Sequence, residues 1–198
     1  MFVTFEGLDG SGKTTQADLL AEALRAEGRD VVATREPGGT PLGEQVRRIL
    51  LEGGEISPWS EASLFAAARA ELVGTVIRPA LEAGKDVVSD RYVDSSLAYQ
   101  GFARDLGIDK VYELNRVVTG GLLPDLAFIL EVDAETSADR VGRRPDRIER
   151  EGSEFRGRVL AGYRIVADKY GDRVVLLDGT RPPDELHQEI RGRLRDLS

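Results

Sequence analysis

Short apolar runs alternate with longer amphipathic stretches along the whole chain. The runs fall at Phe2 to Phe5, Val31 to Ala33, Val87 to Val88, Leu126 to Val132 and Val174 to Leu177. Each is of strand length, and the spacing predicts five strands. Between them the apolar positions recur at helical intervals. Examples are Leu19, Leu20, Ala23 and Leu24, and then Leu64, Ala68, Leu72, Val76 and Ala80 after the helix-start signal Ser57-Pro58. Strands separated by helices make βαβ units, so the expected fold is a three-layer α/β arrangement: a five-stranded parallel sheet with helices on both faces. Gly53-Gly54 and Gly120-Gly121 read as turns inside one domain, and no repeat, low-complexity tract or linker divides the chain.

A length of 198 residues with 41% hydrophobic content suits one well-buried core, given about 100 to 200 residues per domain. The expectation is a single domain over residues 1–198. Lys and Arg number 27 against 35 Asp and Glu, for a net charge of -8. Such a surface repels a phosphate backbone, so nucleic acid is not an expected partner. The chain has no cysteine and one histidine, His187, which excludes disulfides, thiolate chemistry and multi-histidine metal sites. No apolar run approaches the roughly 20 residues needed to span a bilayer, and the start has no basic n-region. A cytoplasmic protein without membrane contact is expected.

The chemistry enters directly after the first strand. Gly7-Leu8-Asp9-Gly10-Ser11-Gly12-Lys13-Thr14 matches G-x-x-x-x-G-K-[ST] and is followed by a helical pattern from Thr15 to Ala26. Glycines let successive N–H groups curl around an anion, and the helix start adds the positive end of its dipole. Lys13 is placed to neutralise the β and γ oxygens of a bound nucleoside triphosphate, and the Thr14 hydroxyl to hold Mg²⁺.

In an open parallel sheet, ligands sit outside the carboxyl ends of the strands. The second strand leads into Arg35-Glu36-Pro37-Gly38-Gly39 and the third into Asp90-Arg91-Tyr92. Arg35, Arg91 and Lys13 therefore converge on one rim of an acidic protein, which suits two phosphorylated ligands better than one. Asp90 is placed as the carboxylate that reaches Mg²⁺, and Arg91 as a bridge between donor and acceptor phosphoryl oxygens. Phe65 and Arg69 are four residues apart and share a helix face; they read either as an ordinary core ring with a snorkelling surface arginine or as an aromatic plane beside a guanidinium that suits a base. The segment from Arg143 to Arg150 carries four arginines in eight residues. It reads either as a solvated loop or as a mobile lid, at about 142–152, that offers a guanidinium to the charge developing in phosphoryl transfer.

Taken together these segments resemble bacterial thymidylate kinase. The resemblance rests on Glu6 to Gln16, on Thr34-Arg35-Glu36-Pro37-Gly38-Gly39-Thr40, and on Asp90-Arg91-Tyr92 with Ser95-Ser96-Leu97-Ala98-Tyr99-Gln100-Gly101. It implies a P-loop kinase that moves the γ-phosphoryl group of ATP onto dTMP with Mg²⁺, acting as a homodimer. It further implies that Arg35 and Arg91 hold the dTMP phosphate, that Phe65 stacks on thymine with Arg69 at its carbonyl, and that Asp9 serves the deoxyribose. Ser96, Tyr99 and Gln100 are implied to line the acceptor pocket. Gly10 occupies the loop position that carries an arginine in some members, so the resemblance points to a lid arginine among Arg143, Arg144 and Arg147. Arg147 is the expected catalytic one and Arg143 a contact to ATP; Gly7 to Thr15 form the remaining donor site. The rival readings are a sibling monophosphate kinase with another acceptor and a regulatory P-loop NTPase. Phe65 with Arg69 argues against the first, and the lack of an Asn-Lys-x-Asp motif against a GTPase form of the second.

Overall fold

The computed structural model describes residues 1–141 and 146–195. Five strands, β1 (Phe2–Glu6), β2 (Val31–Arg35), β3 (Asp86–Asp90), β4 (Leu126–Glu131) and β5 (Val174–Asp178), form one sheet in the order β2-β3-β1-β4-β5. All four pairings are parallel, with Phe5 beside Asp90 on one side and beside Phe128 on the other. The helices are α1 (Lys13–Ala26), α2 (Pro41–Glu52), α3 (Pro58–Leu72), α4 (Arg78–Glu82), α5 (Val93–Ser96), α6 (Ile108–Thr119), α7 (Ala134–Arg140), α8 (Gly152–Lys169) and α9 (Pro183–Arg195). None among the described residues is long and apolar enough to cross a membrane.

Side chains alternate across a strand, and that alternation sorts the core into two layers. Val3 and Phe5 of β1 join Phe128 and Leu130 of β4 against Leu20 and Leu24 of α1 and Ile190 and Leu194 of α9. Phe2, on the opposite face, packs with Val87, Leu72, Ile77, Leu97 and Val111. Ala127 and Ile129 face the same side as Phe2 and meet Val159 and Tyr163 of α8. Burial of the strands on both faces is why they read as nearly continuous apolar runs.

From β1 the chain moves over β3 to reach β2 and later crosses to β4 on the other side, so the winding reverses at β1. The crevice at such a reversal is where open α/β sheets bind ligands. Two strands run further than the apolar pattern predicted. Arg35 and Asp90 are the paired last residues of β2 and β3 rather than loop residues, and the Glu36 amide donates onward to the Asp90 carbonyl at 2.9 Å.

The predicted continuous helix from Pro58 to Ala80 is also interrupted. It is α-helical to Leu72, widens into a π turn over Val73–Ile77, and resumes as α4. Pro79 supplies the reason: it has no N–H to give to the carbonyl four residues back, and its ring crowds that carbonyl. The Thr75 hydroxyl turns back to the Glu71 carbonyl at 2.7 Å in the same stretch. At the other end the start signal is obeyed, because the Ser57 hydroxyl accepts from the Ser60 amide at the first turn of α3.

Candidate active site

A cleft of about 710 Å³ opens at the carboxyl ends of β1, β2 and β3. Its donor side is the loop between β1 and α1. Gly7 has φ 133, and a Cβ there would stand 2.5 Å from the Leu130 carbonyl oxygen, so only glycine lets the chain turn this close to β4. Gly12 caps α1 in the left-handed conformation and starts the helix at Lys13, two residues earlier than the apolar pattern predicted. Leu8 and Ser11 form the buried inner side of the loop, while Asp9, Gly10, Gly12, Lys13, Thr14 and Thr15 face the cleft.

The Lys13 ammonium donates to the Leu8 carbonyl at 2.7 Å and lies 3.7 Å from Asp9. Burial, followed by the nearby Arg91 charge, pulls its pKa below the usual lysine value. A ligand that brings negative charge beside Lys13 relieves both effects. The Thr14 hydroxyl donates to Asp90 Oδ2 at 2.5 Å, and Asp90 Oδ1 is buried without a hydrogen-bond partner. A hydroxyl, a carboxylate and an unsatisfied carboxylate oxygen at one point fit a hard divalent cation. No cluster of three or more His, Cys, Asp or Glu able to cage a metal occurs among the described residues.

Arg91 stands where the two sides meet. Its backbone has φ 75, unusual for a residue other than glycine, and it is held there on several sides. Its guanidinium donates to Asp9 Oδ1 at 2.9 Å, to the Ser95 hydroxyl at 3.1 Å and to the Tyr163 hydroxyl at 3.3 Å, and it lies 5.3 Å from the centre of the Tyr99 ring. Ser95 in turn donates to Glu6 Oε2 at 2.5 Å, and Glu6 Oε1 accepts from the Tyr92 amide at 2.9 Å. Burial, then the neighbouring Asp94 charge, pushes the Glu6 carboxyl up to about 8. The same burial raises the Tyr99 phenol to about 12.

Arg35 also reaches the cleft, half-exposed and paired with Glu44 at 2.9 Å. Beside it is a guanidinium that the sequence reading missed. Arg47 of α2 lines the cleft and donates to the Pro37 carbonyl at 2.9 Å. Burial and the adjacent Arg35 charge lower its pKa, as expected for cations crowded at an anion site. In the sequence it looks like one of two solvated helix charges, Arg47 and Arg48; its place next to the core position Val46 is the only hint. Arg140, at the end of α7, is a second omission. It lines the cleft and donates to the Gly179 carbonyl at 3.0 Å.

Phe65, Arg69, Ser96, Tyr99 and Gln100, expected at the acceptor, all line the same cleft. Tyr99 and Gln100 lie on a π-helical stretch, Leu97–Ala103, of the kind that often re-aims side chains at functional sites. Arg69 differs from a surface arginine in every respect. It is 1% exposed, and all five of its N–H groups have acceptors: Glu36 Oε2 twice at 2.8 and 2.5 Å, Ser96 at 2.9 Å, the Tyr92 carbonyl at 3.0 Å, and Asn115 Oδ1.

Arg147 departs from the expectation placed on it. Asp146 and Ile148 line the cleft, but the Arg147 side chain does not; it runs to the Leu50 carbonyl at 2.7 Å and to Glu61 at 2.6 Å. Arg143 and Arg144 lie outside the described residues.

Three comparisons with known proteins agree with this geometry. Residues 5–190 match the family model described as thymidylate kinase. The chain is 50% identical over 198 residues to the thymidylate kinase of Leifsonia xyli subsp. xyli, covering 98% of this chain and 94% of that protein. It is 48% identical to that of Pelotomaculum thermopropionicum, over 96% and 90% of the two chains. The crystal structure of thymidylate kinase from Ehrlichia chaffeensis superposes with a TM-score of 0.81 at 37% identity, covering 98% of each chain. The chain belongs to the thymidylate kinase family.

Proposed function

We propose that this chain transfers the γ-phosphoryl group of ATP to dTMP, giving dTDP and ADP, within one domain whose lid spans about 142–152. The observation that carries the reading is the position of Arg91. It faces the same cleft as Lys13, and both cations lie against one oxygen, Asp9 Oδ1, Arg91 at 2.9 Å and Lys13 at 3.7 Å.

Phosphoryl transfer needs positioning and charge stabilisation more than covalent chemistry. Lys13 exchanges its contact with the Leu8 carbonyl for the β and γ oxygens of ATP, which fall within reach of the loop amides and the start of α1. When bound at Thr14 and Asp90, Mg²⁺ supplies charge neutralisation and a template for the phosphates. Arg91 is oriented before substrate arrives, because Asp9, Ser95 and Tyr163 fix its guanidinium, and it spans the acceptor and transferred phosphoryl oxygens. Arg35 and Arg47 add charge on the acceptor side. The dTMP phosphate is itself the anionic nucleophile, so no strong base is required. Thymine stacks on Phe65, and Arg69 meets its carbonyl by exchanging one of its present partners, with Ser96, Tyr99 and Gln100 completing the wall. Asp9 serves the deoxyribose while it continues to hold Arg91 in place. Arg143 remains the proposed lid contact to ATP.

We also infer a homodimer in the cytoplasm. Helix α3 buries Ala62, Ala66 and Leu72 inward while Trp59 is left 46% exposed, which gives it apolar surface on more than one face. The reading is tested by following ADP release with ATP and Mg²⁺ and a panel of dTMP, dUMP, dCMP, CMP, AMP and GMP. Preference for dTMP is expected; preference for a purine acceptor overturns the substrate assignment.

A further inference from the structure

One carboxylate outside the phosphate machinery joins three separate stretches of the chain: α3, residues 100–104 and the segment at Arg147. Glu61, in the first turn of α3, is wholly buried. Its Oε1 accepts from the Gln100 amide at 2.9 Å and from Arg104 Nε at 3.3 Å. Its Oε2 accepts from Arg147 at 2.6 Å and from the other end of the Arg104 guanidinium at 3.2 Å. These partners hold the Glu61 pKa below the usual carboxylate range although burial alone would raise it, so the group is ionised in its pocket.

The partners lead in two directions. Gln100 is part of the acceptor wall, and Phe65 stands one helical turn beyond Glu61 on α3. Arg147 leads to the segment that follows residue 145. Its backbone amide donates to the Leu51 carbonyl at 3.0 Å and its Nε to the Leu50 carbonyl at 2.7 Å. Both carbonyls belong to the last turn of α2, where helix carbonyls lack intrahelical partners and the dipole favours a cation. Arg104 reinforces the join, pairing with Glu151 at 2.6 Å and lying 4.4 Å from the centre of the Phe155 ring on α8. Asp146 and Ile148 consequently face the cleft while Arg147 is turned away from it.

We propose that Glu61 is a positioning residue that seats the 146–151 segment and the acceptor wall together, with Arg147 as its latch and not as the cation that meets the transferred phosphoryl group. The proposal rests on the reading of this cleft as a dTMP kinase site. Because Gln100 and Arg147 share one carboxylate, an acceptor packed on Gln100 and Phe65 stabilises the seated segment, and the seated segment strengthens acceptor binding to the same extent. Breaking the join therefore weakens acceptor affinity more than it slows the chemical step.

The test uses the full chain with Arg147→Met, Glu61→Gln and the double variant. Two quantities are read: KM for dTMP against kcat, and amide hydrogen exchange of residues 146–151 without nucleotide. Each single variant should raise KM for dTMP by roughly 5- to 150-fold, with a smaller loss in kcat, and accelerate exchange in the segment by a comparable factor. The double variant should be no worse than the more affected single one, since both break the same contact. A fall in kcat of about 10³ or more for Arg147→Met with KM unmoved is the signature of a phosphoryl-binding cation and overturns the proposal. Unchanged exchange in that variant overturns it as well. Should Glu61→Gln not fold, Arg147→Met alone decides, because Glu61 there keeps Arg104 and Gln100. Exchange is read without substrate. A wild-type chain inactive on dTMP thus sinks the functional reading and leaves the anchor standing, whereas an active wild type with unaltered exchange in the variants sinks the anchor alone.

Discussion

The donor and acceptor ends of the cleft are built by different means. The donor end is a contiguous run, Gly7 to Thr15, shaped by backbone conformation: glycines at φ values closed to other residues, a helix start, and two functional side chains within the run. Asp90 reaches it from the end of β3. The acceptor end is a side-chain network. The partners of Arg69 lie 33, 27, 46 and 23 residues away in sequence, on the turn after β2, on α5, on α6 and on the turn after β3. Backbone-built sites lose function when a side chain is removed but keep their frame. A buried network loses both, because each truncation leaves another polar group without its partner.

The largest expected effect falls on Arg91, where the two ends touch. Arg91→Gly should lower turnover by about 10³ to 10⁵, the value of one oriented charge in phosphoryl transfer. The melting temperature should fall only part of the way expected for losing the contacts to Ser95, Tyr163 and Asp9, since glycine relieves the strain of φ 75, worth about 1 kcal/mol. Turnover and a thermal melt on the same preparation check this, and near-normal turnover removes Arg91 from the mechanism.

Arg69→Met probes the other kind of construction. It leaves the Glu36 carboxylate, 5% exposed and already raised in pKa by burial, without its cation. Urea unfolding should show a loss of about 3 to 5 kcal/mol, partly recovered in the Arg69→Met, Glu36→Gln double variant. A loss below about 1 kcal/mol would mean that Arg69 behaves as a surface residue.

Asp90→Asn should be milder and confined to function. Magnesium dependence should shift by about 10- to 100-fold while stability changes little. A magnesium titration at saturating ATP decides, and an unshifted midpoint removes Asp90 from the metal site.

The smallest effect concerns pH. The Glu6 carboxyl sits at about 8 in the fold against an ordinary 4.5, so the folded chain holds this proton more tightly than the unfolded one. Its contribution is complete below the ordinary value and is lost as pH rises toward about 8. Melting curves across that window should decline more steeply for the native chain than for Glu6→Gln; parallel curves would contradict the burial-driven shift.

How much could be read from the chain alone follows the same division. The five strands and the loop after β1 were readable because their demands are local: apolar alternation, glycine at forced turns, Lys13 and Thr14 at fixed spacing. Phe65 was singled out by its helix spacing with Arg69 and then by resemblance, Tyr99 and Gln100 through resemblance alone, and all three line the cleft. Periodicity could not distinguish the π stretches at Val73–Ile77 and Leu97–Ala103 from α-helix, since five to seven residues are too few to separate the two repeats. The burial of Arg69 was hidden because Glu36 and Asn115, which make it tolerable, are remote in sequence. Arg47 and Arg140 were lost among ordinary helix charges. Arg147 was read as reaching the cleft because a pattern of charges does not say which way a loop side chain turns.

The central claim is that one cleft holds two nucleotides and passes a phosphoryl group directly between them. Its most direct test is to give the native chain ATP labelled in the γ-phosphoryl group, with and without dTMP, and to follow the label. Label appearing in dTDP, with little released as inorganic phosphate, is the predicted result. Label released as inorganic phosphate at the same rate whether or not dTMP is present would contradict it.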